Sequence, residues 1–423
     1  MSGANPGLAY EDTPPLSAPL RFFLTAPLFG LVAGLVLIFD PTLLASRWTP
    51  GALAMVHLLA AGFMLQVMLG ALLQILPVVA GATFPSPLRV AGVTHVALCL
   101  GATSLAFGLG GGEPSVIVAG GVLLVGGLCV FLGAGLIALR RAAPAQGASR
   151  TPRDLRLTLA GLALAASLGV VLAFALGQGL ALPVALPTLV DLHAVWAWMG
   201  WGGLLLAATS WVVVPMFQIT PAYPATFTRF WAPASVVALV LWSLSLFTEL
   251  PGLKLMLSAA LLLPAGGFAL QTLGLQRRSR RSTPDASSRA FRLAMIALLA
   301  SLLALLGALV HDAPQWPVLA GVLVLHGTFA GAISAMLYKI VPFLAWLNLT
   351  QARKRAPNVK KLLPDTPVRN QLRLHAAALA VLIVAVWLPP VAPIAGVLVT
   401  VEFGWLLLNL VAAVRAWHRA AQA

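Results

Sequence analysis

Apolar segments long enough to cross a bilayer recur along the whole 423-residue chain, and they limit its fold more than any other feature. A membrane-spanning helix needs about 20 consecutive apolar residues, and twelve segments meet this requirement. They are 20–39, 52–79, 89–109, 115–139, 155–178, 187–216, 229–249, 252–275, 291–311, 316–345, 370–388 and 391–415. Transmembrane β-strands would instead alternate polar and apolar residues. The sequence therefore predicts an all-α polytopic membrane protein with twelve transmembrane helices.

The charges follow the order of these segments. Only 9% of the residues are charged, and the net charge of +15 comes from basic residues in the connections after even-numbered segments. They include Arg140, Arg141, Arg150, Arg153, residues 276–282, residues 353–361, Arg415 and Arg419. This positive-inside pattern predicts a multi-pass protein of the bacterial inner (plasma) membrane with both termini in the cytoplasm. It accounts for the basic residues without a nucleic-acid partner.

The twelve segments form three blocks of four with a period near 140 residues. An arginine opens the first and the third helix of each block, and the second helix has a histidine near its start and a proline near its end. These landmarks are Arg21, Arg156 and Arg292; Arg89, Arg229 and Arg369; His57, His193 and His326; and Pro77, Pro215 and Pro342. One period shared by independent landmarks indicates a repeat. We expect a single membrane domain, 1–423, with repeats at approximately 20–140, 154–276 and 290–417.

The three histidines of the second helices are candidate cofactor ligands. Ionisable groups inside membrane spans are costly and usually functional, and neutral imidazole is a common metal ligand. Alanine stands four residues after His57, His193 and His326, so each imidazole lies above a small apolar strip that could accept a porphyrin. The alternative for each is a hydrogen bond across a helix interface. Three histidines near matching repeat positions favour the cofactor.

Other polar residues within the helices give weaker signals. Glu402 falls near the middle of the twelfth helix, as a functional carboxylate or as an acid held neutral by a hydroxyl group. His95, which shares a helix face with Cys99, and His375 occupy matching positions in the first and third blocks. They form either a second site or hydrogen bonds between helices. His311 ends the ninth helix as an accessory metal ligand or an ordinary surface residue.

The second helix resembles the NnrS family, a heme- and copper-containing branch of the heme-copper oxidase subunit I superfamily associated with nitric oxide stress. A His-x4-Gly-Phe-x6-Gly-x6-Pro frame is typical of that family. Here the frame consists of His57, Gly62, Phe63, Gly70 and Pro77. "RFFL" at 21–24 is similar to the opening of the family, and 193–215 resembles the oxidase helix that supplies the first copper ligand.

The resemblance implies three pseudo-symmetric four-helix arcs and a heme- or copper-dependent function. We expect heme b between His57 and His326, with His193 open to a second heme or to a metal such as copper, for which His311 is a further ligand. The implied small ligands are nitric oxide and oxygen, and the implied electron donor is a protein or a quinol. If the chain is catalytic, the resemblance implies an oxidoreductase.

The chain also departs from the oxidase pattern. The seventh segment reads Phe-Trp-Ala-Pro-Ala-Ser at 230–235, where oxidases carry a His-His pair, and the tenth has one histidine in place of His-x-His. We therefore expect no complete heme-copper binuclear centre and little oxygen reduction. A polytopic transporter (permease) or a heme or copper assembly factor stays open as the alternative, because twelve helices with internal repeats also describe many transporters.

Overall fold

The computed structural model describes residues 13–142, 150–352, 354 and 356–422; Arg353 and Arg355 of the basic connection lie outside these ranges. Twelve helices in the described ranges are long and apolar enough to cross a membrane, which confirms the predicted number. The first six are α1 (Ser17–Phe39), α2 (Pro50–Ala80), α3 (Pro87–Gly111), α4 (Pro114–Arg141), α5 (Thr151–Gln178) and α6 (Leu186–Gln218). The others are α7 (Ala225–Ser245), α8 (Pro251–Arg277), α9 (Ala286–Val310), α10 (Gln315–Gln351), α11 (Asp365–Trp387) and α12 (Pro389–Gln422).

Proline and glycine set many of the helix ends. Pro50, Pro87 and Pro114 open their helices, where the missing N–H of proline has no intrahelical partner to lose. The hydroxyl group of Thr49 accepts a hydrogen bond of 3.2 Å from the backbone N–H of the third residue of α2. Gly81 follows α2 in the left-handed conformation, with φ of 60°. Most of these ends are therefore visible in the sequence.

The second helix of each block lies deepest in the protein. In the most apolar stretch of α2, α6 and α10 the buried fractions are 78%, 50% and 83%, whereas no other spanning helix exceeds 44%. Near their ends on the membrane face that carries the basic connections, hereafter the basic face, these three helices surround a small apolar cavity of about 80 Å³. The other helices cover them and carry most of the exposed apolar side chains.

All three of these helices contain a π-helical stretch at the same distance from their proline. The stretches are Leu58–Met64, Trp196–Gly203 and Leu323–Ala330. The fifth residue of each is glycine, at 62, 200 and 327, and the proline follows fifteen residues later, at 77, 215 and 342. In the third stretch the wider turn is visible in a hydrogen bond of 2.9 Å from the Thr328 hydroxyl to the carbonyl of Leu323, five residues earlier.

The histidines do not share the register of these glycines. His57 lies five residues before its glycine, His193 seven residues before, and His326 directly before. Because successive residues leave a helix about 100° apart, the three imidazoles point in different directions around their helices. The three second helices therefore match in the positions of their π-helical stretches, but their histidines are out of register.

A close crossing joins the first helix to the last. A side-chain carbon added at Gly34 would lie 2.5 Å from the backbone nitrogen of Thr400 and 2.8 Å from the carbonyl oxygen of Gly396. A carbon added at Gly396 would in turn lie 2.7 Å from the carbonyl oxygen of Gly34. Small residues at such crossings let two membrane helices approach closely, so these two glycines hold α1 against α12.

We predict that Gly34→Leu destabilises the protein by separating α1 from α12, at a cost of roughly 1–3 kcal/mol for overpacking. The measurement is thermal unfolding of the purified protein in detergent. Gly133→Leu on α4 is the matched control, because a carbon added at Gly133 meets no neighbouring atom within 4 Å. Equal melting temperatures of the two variants would contradict the proposed role of this crossing.

An ion-pair cluster fixes the start of α9 at the basic face. Asp285 accepts a hydrogen bond of 2.9 Å from the backbone N–H of Ser288, and its carboxylate lies 2.5 Å from Arg281 and 2.6 Å from Lys339 of α10. Burial raises the pKa of Asp285. The hydrogen bonds and charges of Lys339 and the hydrogen bonds of Ser288 outweigh this effect, so the pKa of Asp285 lies below its ordinary value. The cluster therefore stabilises the charged carboxylate.

Asp285→Asn keeps the helix cap but removes the charge, and we predict a loss of roughly 1–3 kcal/mol of stability at neutral pH. Because folding lowers this pKa, the contribution is complete above the ordinary value of about 3.9 and disappears as the pH falls through the lower folded value. The difference between wild type and variant in thermal unfolding should thus shrink in acid. Asp191→Asn, which breaks an exposed ion pair with Arg47, should change stability little.

Candidate metal centre

Three ionisable side chains from the last three helices meet inside the membrane domain. His326 lies in the π-helical stretch of α10, His375 lies on α11, and Glu402 lies on α12. His375 is ten residues from the start of its helix, which at 1.5 Å per residue places it about 15 Å along the span. The site is therefore near the middle of the bilayer.

The three side chains are close enough to bind one ion. Nδ1 of His375 is 3.3 Å from Oε1 of Glu402, and Nε2 of His326 is 3.5 Å from the same oxygen. The two imidazole rings lie 4.6 Å apart between centroids, at 25° to each other. One nitrogen or oxygen atom from each residue falls within a group less than 4.8 Å across. All three side chains are at most 2% exposed.

Several polar atoms of this cluster have no hydrogen-bond partner among the described residues. They are Nδ1 and Nε2 of His326, Nε2 of His375 and Oε2 of Glu402. The 3.5 Å contact between His326 and Glu402 is too long and poorly aligned to serve as a hydrogen bond. Buried polar atoms almost always have a partner, so these unpaired atoms mark a place where an ordered water molecule or a metal ion could bind.

Several residues pack closely around the cluster. Phe403 lies edge-on to His326, with ring centroids 6.3 Å apart, and it also contacts Phe63 of α2 at 4.9 Å. Gln371 donates a hydrogen bond of 3.1 Å to the backbone carbonyl of Glu402. Gly331 of α10 leaves room for the ring of His375, because an added side-chain carbon would lie 3.0 Å from Nε2.

The donor set suits a first-row transition metal. Two imidazoles and one carboxylate bind catalytic zinc and non-heme ferrous iron, whereas calcium and magnesium prefer oxygen ligands alone. Three protein ligands leave coordination positions open for a small exogenous ligand. The arrangement can therefore bind a divalent ion and present it to a second molecule.

The other two histidines of the second helices form a separate pair. The rings of His57 and His193 are nearly parallel, at 12°, with centroids 6.4 Å apart. The structure therefore brings His57 to His193, while His326 lies against His375. This arrangement differs from the expected pairing of His57 with His326. His57 lies five residues before the glycine of its helix, whereas His326 lies one residue before the matching glycine, so the two rings leave their helices in different directions.

Both members of this pair are held in one orientation by the backbone. Nδ1 of His57 lies 2.7 Å from the carbonyl oxygen of Leu53, and Nδ1 of His193 lies 3.0 Å from that of Ala165 on α5. Each Nδ1 thus carries the ring proton and donates a hydrogen bond to a carbonyl. Nε2 is then unprotonated and available as a ligand atom. Gly169 makes space for His193, because a side-chain carbon there would lie 2.9 Å from the ring. The pair therefore offers two ring nitrogens that could act as ligands.

The remaining sequence candidates lie elsewhere. His95 is not brought to His375: its Nε2 lies 2.8 Å from the hydroxyl of Thr25 and 3.5 Å from the thiol of Cys99. His311 is exposed and lies beside the indole of Trp316, with centroids 5.9 Å apart. Neither contact brings either residue to His193, so the structure gives no support to His311 as a ligand shared with His193.

The sequence identifies His326, His375 and Glu402 as candidates, but it does not predict that they lie together. The residues that shape the site, Gly331, Gln371 and Phe403, are not among the sequence candidates. Gly331 carried a readable signal, since a glycine five residues after a membrane histidine is a position where another side chain can approach. Comparison with protein-family models gave no match, and comparison with curated proteins gave no significant match. The function of this protein is therefore inferred from the geometry of the site.

Proposed function

We propose that this chain is an integral membrane metalloprotein in which His326, His375 and Glu402 hold a divalent first-row transition-metal ion, with ferrous iron as the first candidate. One observation carries the proposal: three buried side chains from three helices each bring one ligand atom within 4.8 Å of the others, and each has at least one atom without a hydrogen-bond partner among the described residues. An ion would accept both imidazoles as neutral donors and would be partly neutralised by the carboxylate.

The position of the site favours a small uncharged ligand. The centre is walled by apolar side chains near the middle of the bilayer, where diatomic gases dissolve but ions and sugars do not. We therefore propose nitric oxide or oxygen as the molecule that occupies the open coordination position. A quinol or an electron-donor protein is the proposed source of electrons, and the chain would act in binding, sensing or electron transfer without a complete heme-copper binuclear centre.

Metal analysis of purified variants tests this proposal. We predict that the wild type, purified without chelators, retains a stoichiometric transition metal, and that His375→Ala and Glu402→Gln lose most of it because each removes a direct ligand. Elemental analysis gives the metal content. Thermal unfolding establishes that each variant is folded, and Glu402→Gln preserves the volume of the side chain.

His311→Ala is the matched control, because it removes an exposed histidine at the end of α9 and should leave the metal content unchanged. Wild-type protein that neither retains nor takes up iron, zinc or copper would refute the metal centre. Wild-type metal content in both ligand variants would refute the assignment of these residues.

We propose a second site for heme b at His57 and His193. The supporting observation is their nearly parallel rings, each with Nδ1 bonded to a backbone carbonyl and Nε2 left as a ligand. Bound heme would supply an iron that can change its redox state. The protein residues would fix the orientation of the iron and exclude water from it.

The absorption spectrum of the protein tests the second site. We predict a Soret band that is lost or shifted in His57→Ala and in His193→Ala, and that stays unchanged in His326→Ala. A band sensitive to His326 and insensitive to His193 would instead favour the pairing expected from the sequence. Protein without both heme and transition metal would favour the transporter or the assembly factor.

We also propose that the twelve helices form three four-helix arcs, as in heme-copper oxidase subunit I. The π-helical stretches support this arrangement, because each begins near the same point in the second helix of its block and precedes a proline at a constant distance. The high burial of α2, α6 and α10 also supports it, since three arcs around one axis would place one equivalent helix of each block inside.

A further inference from the structure

A groove opens at the basic face between the first turns of α9 and α11. Its volume is about 340 Å³. It is lined by three arginines, Arg289, Arg369 and Arg373, by two aspartates, Asp285 and Asp365, and by an apolar surface that includes Leu293 and Ala376. We call it the basic groove. Its lining includes neither a ligand of the candidate metal centre nor a member of the histidine pair.

The two aspartates of the basic groove do not neutralise its arginines. Asp285 is bonded to Arg281 and Lys339, and Asp365 pairs with Lys360 at 3.4 Å. Arg289 donates a hydrogen bond of 3.1 Å to the backbone carbonyl of Pro284. Among the described residues, none of the three groove arginines forms an ion pair. The groove therefore presents uncompensated positive charge to a ligand.

Two of the three groove arginines lie near the starts of their helices. Arg289 and Arg369 lie three and four residues into their helices, which places them about 5–6 Å from the helix starts, and Arg373 lies one turn beyond Arg369. Leu293 and Ala376 lie one to two turns further into the span. An anion bound to the arginines would thus sit at the depth of lipid headgroups, and an attached chain would follow the apolar side chains toward the hydrocarbon.

We propose that the basic groove binds an anionic phospholipid, with the phosphate on the arginines and an acyl chain along Leu293 and Ala376. Basic pockets between helices on the cytoplasmic side of membrane proteins bind such headgroups. A volume of about 340 Å³ equals that of roughly ten water molecules, which exceeds the needs of a free phosphate ion. Arginine also suits phosphate, because its planar fork donates two hydrogen bonds.

Native mass spectrometry of the delipidated full-length protein tests this proposal, with phosphatidylglycerol as the probe and phosphatidylcholine as the neutral comparison. Each basic residue contributes about fivefold in affinity for anionic lipid, so we expect the triple variant Arg289→Gln, Arg369→Gln, Arg373→Gln to bind phosphatidylglycerol roughly 100-fold more weakly. The matched control replaces three exposed arginines of the same face, Arg277, Arg278 and Arg280, by glutamine and should keep wild-type affinity.

A second variant separates a lipid site from a phosphate site. Leu293→Trp fills the apolar part of the groove without changing its charge, so it should weaken the binding of phosphatidylglycerol. In a separate experiment on the wild type, inorganic phosphate should compete poorly with phosphatidylglycerol. Equal affinity of both triple variants would overturn the proposal. So would full competition by inorganic phosphate, or lipid binding that is unchanged by Leu293→Trp.

Discussion

Removal of a carboxylate and two imidazoles from water is the constraint on which the centre of this protein depends. At most 2% of each side chain is exposed, and an ionisable group inside a bilayer costs several kcal/mol unless it is paired. Glu402 has two imidazole neighbours, but its second oxygen and three ring nitrogens lack partners among the described residues. A cation bound to one atom from each residue would satisfy part of this group, because an imidazole can offer a single ion only one of its two nitrogens.

The membrane-spanning helices can be predicted from the sequence because length and apolarity are local properties. Twelve helices follow from twelve apolar runs, and their ends coincide with prolines and glycines that act within a single turn. The site is less accessible to such reasoning. Glu402 falls near the middle of its helix in the sequence, but depth does not determine which way a side chain points. Whether His375 faces His95 or His326 depends on contacts between helices, for which the sequence has no local signal.

The π-helical stretches explain why the histidines form two groups. A π turn accommodates an additional residue, so that the side chains on either side of it rotate relative to a regular helix. His57 and His193 precede their stretches, whereas His326 lies inside its stretch. The first two therefore meet each other, and the third turns toward α11 and α12. Such irregular turns are frequent at functional sites, and here they occur only in the most buried helix of each block, within the described ranges.

A comparison of His95 with His375 shows how one repeat position serves two purposes. Both histidines end the motif Pro-x-Arg-x5-His. His95 lies near Gln66, since Thr25 contacts both, and His375 lies beside Gly331. Gln66 and Gly331 occupy matching positions, each four residues after the glycine of its π-helical stretch. In the first block, the Thr25 hydroxyl pairs with Nε2 of His95 at 2.8 Å, and the same hydroxyl donates a hydrogen bond to Oε1 of Gln66. In the third block, glycine replaces glutamine, Glu402 supplies a negative charge, and Nε2 of His375 has no partner. The same scaffold position is thus saturated by protein groups in one block and left open in the other. Because only His375 has a carboxylate and a second histidine beside it, the group of residues that could hold a metal ion lies in the third block.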